Sequence, residues 1–199
     1  MSDDHYFSAR PASPEERRQI SVTLAGRDLQ LEVASGIFSP DHVDLGTQVL
    51  LRTVPAPRGA VLDIGCGWGP IAIAAALTSP DVRVTAVDVN ERALDLARRN
   101  AATAGVADRL TVTVPEDVPA EARFDTIWSN PPIRIGKAAL HELLGLWLPR
   151  LGPGGEAWLV VQRNLGSDSL ASWLAGQGWG EVEKVASAKG FRVLRVTAP

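Results

Sequence analysis

The chain has 199 residues, a net charge of −3, and 45% hydrophobic residues. That is the length of one domain, with enough apolar content for a full core. The slight acidity excludes a broadly basic nucleic-acid binder. No run of about 18 apolar residues could cross a membrane as a helix. The polar N-terminus shows no apolar signal core, and the lone Cys66 excludes a disulfide within one chain. A cytoplasmic protein without a metal is expected. The charge is uneven: residues 1–133 carry 12 basic and 18 acidic side chains, and residues 134–199 carry 8 and 5.

Residues 1–19 are polar, contain Pro11 and Pro14, and read as a loosely docked arm interrupted by His5-Tyr6-Phe7. Strict alternation at Ile20-x-Val22-x-Leu24 and Leu29-x-Leu31-x-Val33 around Gly26-Arg27-Asp28 predicts a β-hairpin. The division follows: 1–35 is an arm and hairpin, and 36–199 is the main domain. Gly36-Ile37-Phe38-Ser39-Pro40 is a turn, residues 44–53 are a helix, and Pro55-Ala56-Pro57-Arg58-Gly59 is a linker.

From residue 59 onward, strands and helices alternate. Strands are expected at 60–64, 82–88, 110–114, 124–129, 156–161, 182–186 and 191–196, with helices at 70–78, 91–104, 137–150 and 167–176. This is an α/β chain with a Rossmann-like, mostly parallel, seven-stranded sheet and helices on both faces. Only four residues separate the last two strands, so they form a hairpin and one strand runs antiparallel.

The turn from the strand at 60–64 into the next helix is Gly65-x-Gly67-x-Gly69-Pro70. Glycines permit positive φ and close approach of a ligand. Free N–H groups at a helix start favour a carboxylate or phosphate. The dinucleotide fingerprint is G-x-G-x-x-G, and here the third glycine comes one residue early, which disfavours a nicotinamide oxidoreductase. Asp63 ends the strand. It would repel a pyrophosphate and attract a ligand that bears an amine, as S-adenosylmethionine does. Asp88 follows 25 residues after Asp63, at a strand end where a carboxylate accepts ribose hydroxyls. Asn90 suits the helix cap better by position, which leaves Asp88 for the ribose. Of the acids after the third strand, Glu116 and Asp117, one would accept the adenine amino group. Asp117 is the candidate, and a solvated loop charge explains the pair equally well.

Asn130-Pro131-Pro132-Ile133 ends the strand at 124–129. Ligands of open α/β sheets sit beyond the carboxyl ends of the strands, so Asn130 shares an edge with Gly65 and Asp88. Two prolines restrict the backbone and hold Asn130 in place. A conjugated amino or amide nitrogen is a poor nucleophile because its lone pair is delocalised. Acceptors around its hydrogens, here the Asn130 side-chain oxygen and the Pro131 carbonyl, favour the pyramidal and nucleophilic form. Positioning against a sulfonium methyl then supplies much of the rate.

The chain resembles class I S-adenosylmethionine-dependent methyltransferases, specifically the "methyltransferase small" group. Its best-known members methylate guanine N2 of small-subunit ribosomal RNA. The resemblance covers about residues 36–199 and rests on four stretches: Gly36-Ile37-Phe38-Ser39, Asp44-Leu45-Gly46-Thr47, the motif from Asp63 to Gly69, and Asn130 to Lys137. The His5-Tyr6-Phe7-Ser8 opening is also similar to that group. It implies a final strand inserted antiparallel and a segment from Phe38 to Thr47 that closes over cofactor or substrate. Two features depart from the group. Ile133 stands where amino-methylating enzymes often have Tyr or Phe, so stacking on a planar substrate falls to Phe38, Arg134 or Phe191. Ribosomal enzymes of the group can carry a second, degenerate N-terminal copy of the domain; only an arm and a hairpin are expected before residue 36, so RNA contacts are expected from the core, the arm or a partner. Phe38, Ile133, Arg134 and Lys137 are therefore the expected substrate contacts, and RNA the expected partner. Methylation of a protein glutamine amide uses the same Asn-Pro-Pro logic and is the first alternative. A non-catalytic cofactor-binding scaffold is the second.

Overall fold

A computed structural model describes residues 14–199. The expected His5-Tyr6-Phe7 cluster and most of the arm lie outside the described residues. β1 (Arg17–Leu24) and β2 (Arg27–Ala34) form the hairpin as a separate two-stranded sheet. The first strand starts earlier than expected, since Arg17, Arg18 and Gln19 pair with Ala34, Val33 and Glu32. The turn is Ala25-Gly26, both with positive φ (49° and 74°), as a two-residue hairpin turn requires to match strand twist.

After α1 (Leu45–Thr53) come β3 (Ala60–Ile64), α2 (Pro70–Thr78), β4 (Arg83–Val87), α3 (Glu91–Thr103), β5 (Leu110–Thr113), β6 (Phe124–Ser129), α4 (Lys137–Trp147), β7 (Leu151–Gln162), α5 (Ser167–Ala175), β8 (Glu181–Ala188) and β9 (Phe191–Thr197). The seven strands lie in the order β5-β4-β3-β6-β7-β9-β8. β9 is inserted between β7 and β8 and runs antiparallel to both. The other pairings are parallel. The fold is therefore the Rossmann-like mixed sheet expected.

Besides shifts of one or two residues at element ends, two further elements differ from the sequence reading. α4 gives way at Leu148–Arg150 to a 3-10 turn, because Pro149 has no N–H to continue the ladder. β7 begins five residues early: Phe124 pairs with Leu151 and Thr126 with Glu156, so the pairing skips across Gly152-Pro153-Gly154-Gly155. A Gly-Pro-Gly-Gly run carries no alternation to read.

Strand side chains alternate between two cores. Val61, Trp128, Trp158, Val160 and Val193 pack with α1, α2, α3 and the hairpin. Leu62, Ile64, Ile127, Leu159 and Leu194 pack with α4 and α5. The hairpin's Val22, Leu24, Leu31 and Val33 belong to the first core, so its apolar face is continuous with that of the main domain. β3 lies between β4 and β6, and the chain leaves it in opposite directions across the sheet. That is the switch point where open α/β sheets form a ligand crevice.

Candidate active site

A cleft of about 470 Å³ opens at this switch point. The loop after β3 and the loop after β6 meet there: a Cβ built on Gly65 would lie 3.9 Å from Pro132 Cδ. Gly65 and Gly67 have φ of 73° and 55°, and a Cβ on Gly67 would meet no atom within 4 Å. The side-chain space of both residues is thus cleft, and glycine there leaves room for a ligand against the backbone.

The loop's N–H groups have other partners than the sequence suggested. Gly65 and Cys66 N–H both donate to Val87 O at 2.9 Å, Gly69 N–H to Cys66 O at 2.9 Å, and Gly67 N–H to Asp88 Oδ2 at 2.9 Å. At the start of α2, Ala72 N–H is taken by Asp63 Oδ2 at 3.0 Å. The expectation of free donors for an anion is therefore corrected at these positions. Buried N–H groups rarely stay unpaired, and this loop pairs them internally.

Asp88 is not left free by Asn90. Asn90 does cap α3, its side chain accepting from Arg92 and Ala93 N–H. Asp88 holds Gly67 N–H with one oxygen and Asn90 N–H, at 2.9 Å, with the other. The Val89 N–H also bonds to this carboxylate; two oxygens offer about four acceptor sites, which leaves acceptor capacity for a ligand, and Asp88 lines the cleft. Burial raises its pKa above the usual carboxylate value, opposed by the backbone N–H groups of Asn90, Gly67 and Val89 that it accepts.

Asp63 does not line the cleft. It is fully buried behind the loop and caps α2, whose own N-cap, Gly69, offers no side chain. Its Oδ1 has no hydrogen-bond partner among the described residues. Burial, with Asp88 nearby, pushes its pKa up to about 8 against the pull of Ala72 N–H. Gly69 also lies off the cleft: a Cβ there would lie 3.3 Å from Ile73 Cδ1 and 3.4 Å from Ala97 Cβ. Asp117 is exposed on a 3-10 turn and accepts from Thr113 Oγ1 at 3.3 Å. Its neighbour Pro115 is what reaches the cleft. Lys137, at the start of α4, is exposed outside it. Cys66 is buried, and burial keeps its thiol pKa well above the usual value. It fills space.

The cleft does bring together Gly65, Gly67, Asp88, Asn130, Pro131, Pro132, Ile133, Arg134 and Phe38, and also Phe191. All three stacking candidates are thus on its wall. Phe38 is 44% exposed. Arg192, next to Phe191, is tied to Asp168 and Ser167, which removes it from the free cations at the mouth.

Sequence reading missed several residues. Asp44 caps α1 through Oδ2, which accepts Gly46 N–H at 2.8 Å and Thr47 N–H at 3.3 Å. The same oxygen accepts Asn130 Nδ2–H at 2.8 Å, and Thr47 Oγ1 lies 3.1 Å from that nitrogen. Trp68 Nε1–H donates to Ser39 O at 3.2 Å and Asn90 Nδ2–H to Gly36 O at 3.0 Å, which fixes the Phe38 segment over the glycine loop. Buried Asn100 joins β2 to that loop, with bonds to Glu32 N–H, Glu32 O and Trp68 O. Gln162 reaches the cleft from the end of β7.

The donor set fits S-adenosylmethionine. Asp88 offers acceptors for hydroxyls, Gly65 and Gly67 leave open space against the backbone, and the cleft is of small-ligand size. No cluster of His, Cys and acidic residues able to hold a metal occurs among the described residues, and no described helix is long and apolar enough to cross a membrane.

Comparison with known proteins gives the family. The family model described as "Methyltransferase small domain" matches residues 28–195. A Bacillus subtilis (strain 168) protein named "Uncharacterized protein YbxB" is 32% identical over 196 residues, covering 96% of this chain and 97% of its own. A Citrobacter koseri protein named "Ribosomal RNA small subunit methyltransferase C" is 35% identical over 174 residues, covering 84% of this chain and 49% of its own. The chain thus spans about half the length of the ribosomal relatives it matches. A solved structure named "T. Thermophilus 16S rRNA N2 G1207 methyltransferase (RsmC) in complex with AdoMet and Guanosine" superimposes with a TM-score of 0.80 over 95% of this chain and 52% of that one. At 23% identity, it shows the shared fold. The chain belongs to the methyltransferase small domain family of S-adenosylmethionine-dependent enzymes.

Proposed function

We propose that this chain methylates the exocyclic N2 amino group of guanine in small-subunit ribosomal RNA. The observation that carries this reading is that Asn130-Pro131-Pro132 and Asp88 with Gly65 and Gly67 line one cleft. When bound, S-adenosylmethionine supplies an electrophilic methyl group on its sulfonium. Asp88 would accept the ribose hydroxyls, and the glycines would let the cofactor lie against the loop. Asn130 Oδ1 and the Pro131 carbonyl would accept the hydrogens of the reacting amine and hold its lone pair in line with the methyl. No strong base is needed, since the proton becomes acidic once the nitrogen is alkylated. Phe38, Phe191 and the Arg134 guanidinium supply flat surfaces for a base in place of an aromatic residue at Ile133. The names of the ribosomal relatives, and the complex of the structural neighbour with guanosine, support this substrate.

The test uses small ribosomal subunits from cells that lack the gene, incubated with the protein and methyl-labelled S-adenosylmethionine. Nucleoside mass spectrometry should find N2-methylguanosine, and Asn130→Ala should abolish most of it while binding S-adenosylhomocysteine almost normally. Label on a protein glutamine instead would establish the alternative substrate. Tight cofactor binding with no transfer to RNA or protein would leave a scaffold.

A further inference from the structure

We infer that Asp44 and Thr47 are positioning residues that lock the Asn130 amide with its oxygen toward the cleft, so that the site selects a reacting atom bearing hydrogen. This rests on the methyl-transfer reading above. Asn130 Nδ2 lies 2.8 Å from Asp44 Oδ2 and 3.1 Å from Thr47 Oγ1. Both of its hydrogens are therefore used. A carboxylate accepts hydrogen bonds and donates none. The flipped amide would set Oδ1 against Asp44 Oδ2, acceptor on acceptor, so the network chooses one orientation. The choice is firm because the oxygen that holds the amide also caps α1 and Thr47 is buried.

The consequence is chemical. Oδ1 is the one polar side-chain atom of Asn130 left for a ligand, and it can only accept. An exocyclic amine or a primary amide presents N–H to it. A ring nitrogen without hydrogen presents a lone pair and is repelled. Released from the lock, the amide would spend part of its time with NH2 facing the substrate's own NH2, which is donor on donor. The two locking residues lie 86 and 83 positions from Asn130 in the chain, so the lock closes only when the segment before the sheet docks on the end of β6.

The test uses the full chain and two readouts. The first needs no substrate: NMR follows exchange with water of the Asn130 side-chain amide protons, with exposed Asn164 as the reference. In the parent protein the Asn130 protons should exchange much more slowly than those of Asn164. Thr47→Val and Asp44→Ala should lose that protection, and Thr47→Ser should keep it. The second is transfer to small ribosomal subunits from cells that lack the gene. Thr47→Val, which leaves the α1 cap in place, should lower kcat roughly tenfold and leave the KM for S-adenosylmethionine within about twofold. Thr47→Ser should recover most of the lost rate. Asn130 protons that exchange as fast as those of Asn164 would overturn the lock. An unchanged kcat in Thr47→Val, with Asn130→Ala still impaired, would overturn its role in the reaction. If the parent transfers no methyl group, the functional reading fails, and the exchange measurement still decides the lock.

Discussion

Asp63→Asn should make the protein more stable at alkaline pH. Asp63 is fully buried. Its Oδ2 accepts Ala72 N–H at 3.0 Å and its Oδ1 has no partner among the described residues. Burial is the main cause that lifts its pKa from 3.8 to about 8, with Asp88 adding to it. The folded-state value lies above the unfolded one, so the carboxyl's contribution to stability is complete below about pH 3.8 and is lost as pH rises through about 8. At 1.36 kcal/mol per pH unit, the full span is roughly 6 kcal/mol, an upper bound because buried sites relax and admit water. Asparagine keeps the oxygen for Ala72 N–H and cannot ionise. Urea unfolding of both cofactor-free proteins from pH 4 to 9 measures the difference, in which other titrating groups largely cancel. The variant should match the parent near pH 4 and exceed it by ~2–4 kcal/mol at pH 9. Parallel curves across that range would refute the argument, since they would mean that Asp63 ionises as easily folded as unfolded.

Asp88→Ala removes an acceptor from Gly67 and Asn90 N–H and one from the proposed ribose contact. Calorimetry should show S-adenosylhomocysteine binding weaker by ~1.5–3 kcal/mol, and unchanged affinity would take Asp88 out of the site. Gly46→Ala puts a Cβ 2.9 Å from both Asp44 Oδ2 and Phe191 Cε1. Overpacking of this kind should cost ~1–3 kcal/mol in thermal or chemical unfolding, and an unchanged transition would mean that Phe191 swings aside freely. If RNA is the substrate, Arg134→Ala with Lys137→Ala should weaken its binding and flatten the slope of log affinity against log salt by up to about 2, through fewer released counterions. A salt slope equal to the parent's would exclude this patch.

What the sequence disclosed about the site was its local part. β3, α2 and β6 have the bounds that alternation, Pro70 and the Gly65-x-Gly67-x-Gly69 turn imply, and the rule that ligands gather at strand ends put Gly65, Asp88 and Asn130 on one edge. Residue type said less about where groups point. Glycines marked the loop, but only the fold shows that its N–H groups turn inward to Val87, Cys66 and Asp88. Asp63 had a usable signal. Leu62 and Ile64 face the α4–α5 side, so period-two alternation sends Asp63 to the α2 side, under the helix and away from the cleft. No periodicity could have found Asp44 and Thr47 as partners of Asn130, or Asn100 as the tie between β2 and Trp68, because each pairing joins segments more than 30 residues apart. These long-range bonds form a continuous path. Asn100 holds the loop at Trp68, Trp68 holds Ser39, the segment after Ser39 leads to the α1 cap at Asp44, and Asp44 holds Asn130. The hairpin and the segment before the sheet are thus tied to Asn130 by these bonds, and in the reading proposed above they would act on the reaction through the orientation of its amide. An element that touches no ligand can still set the chemistry, provided that the bonds along this path hold.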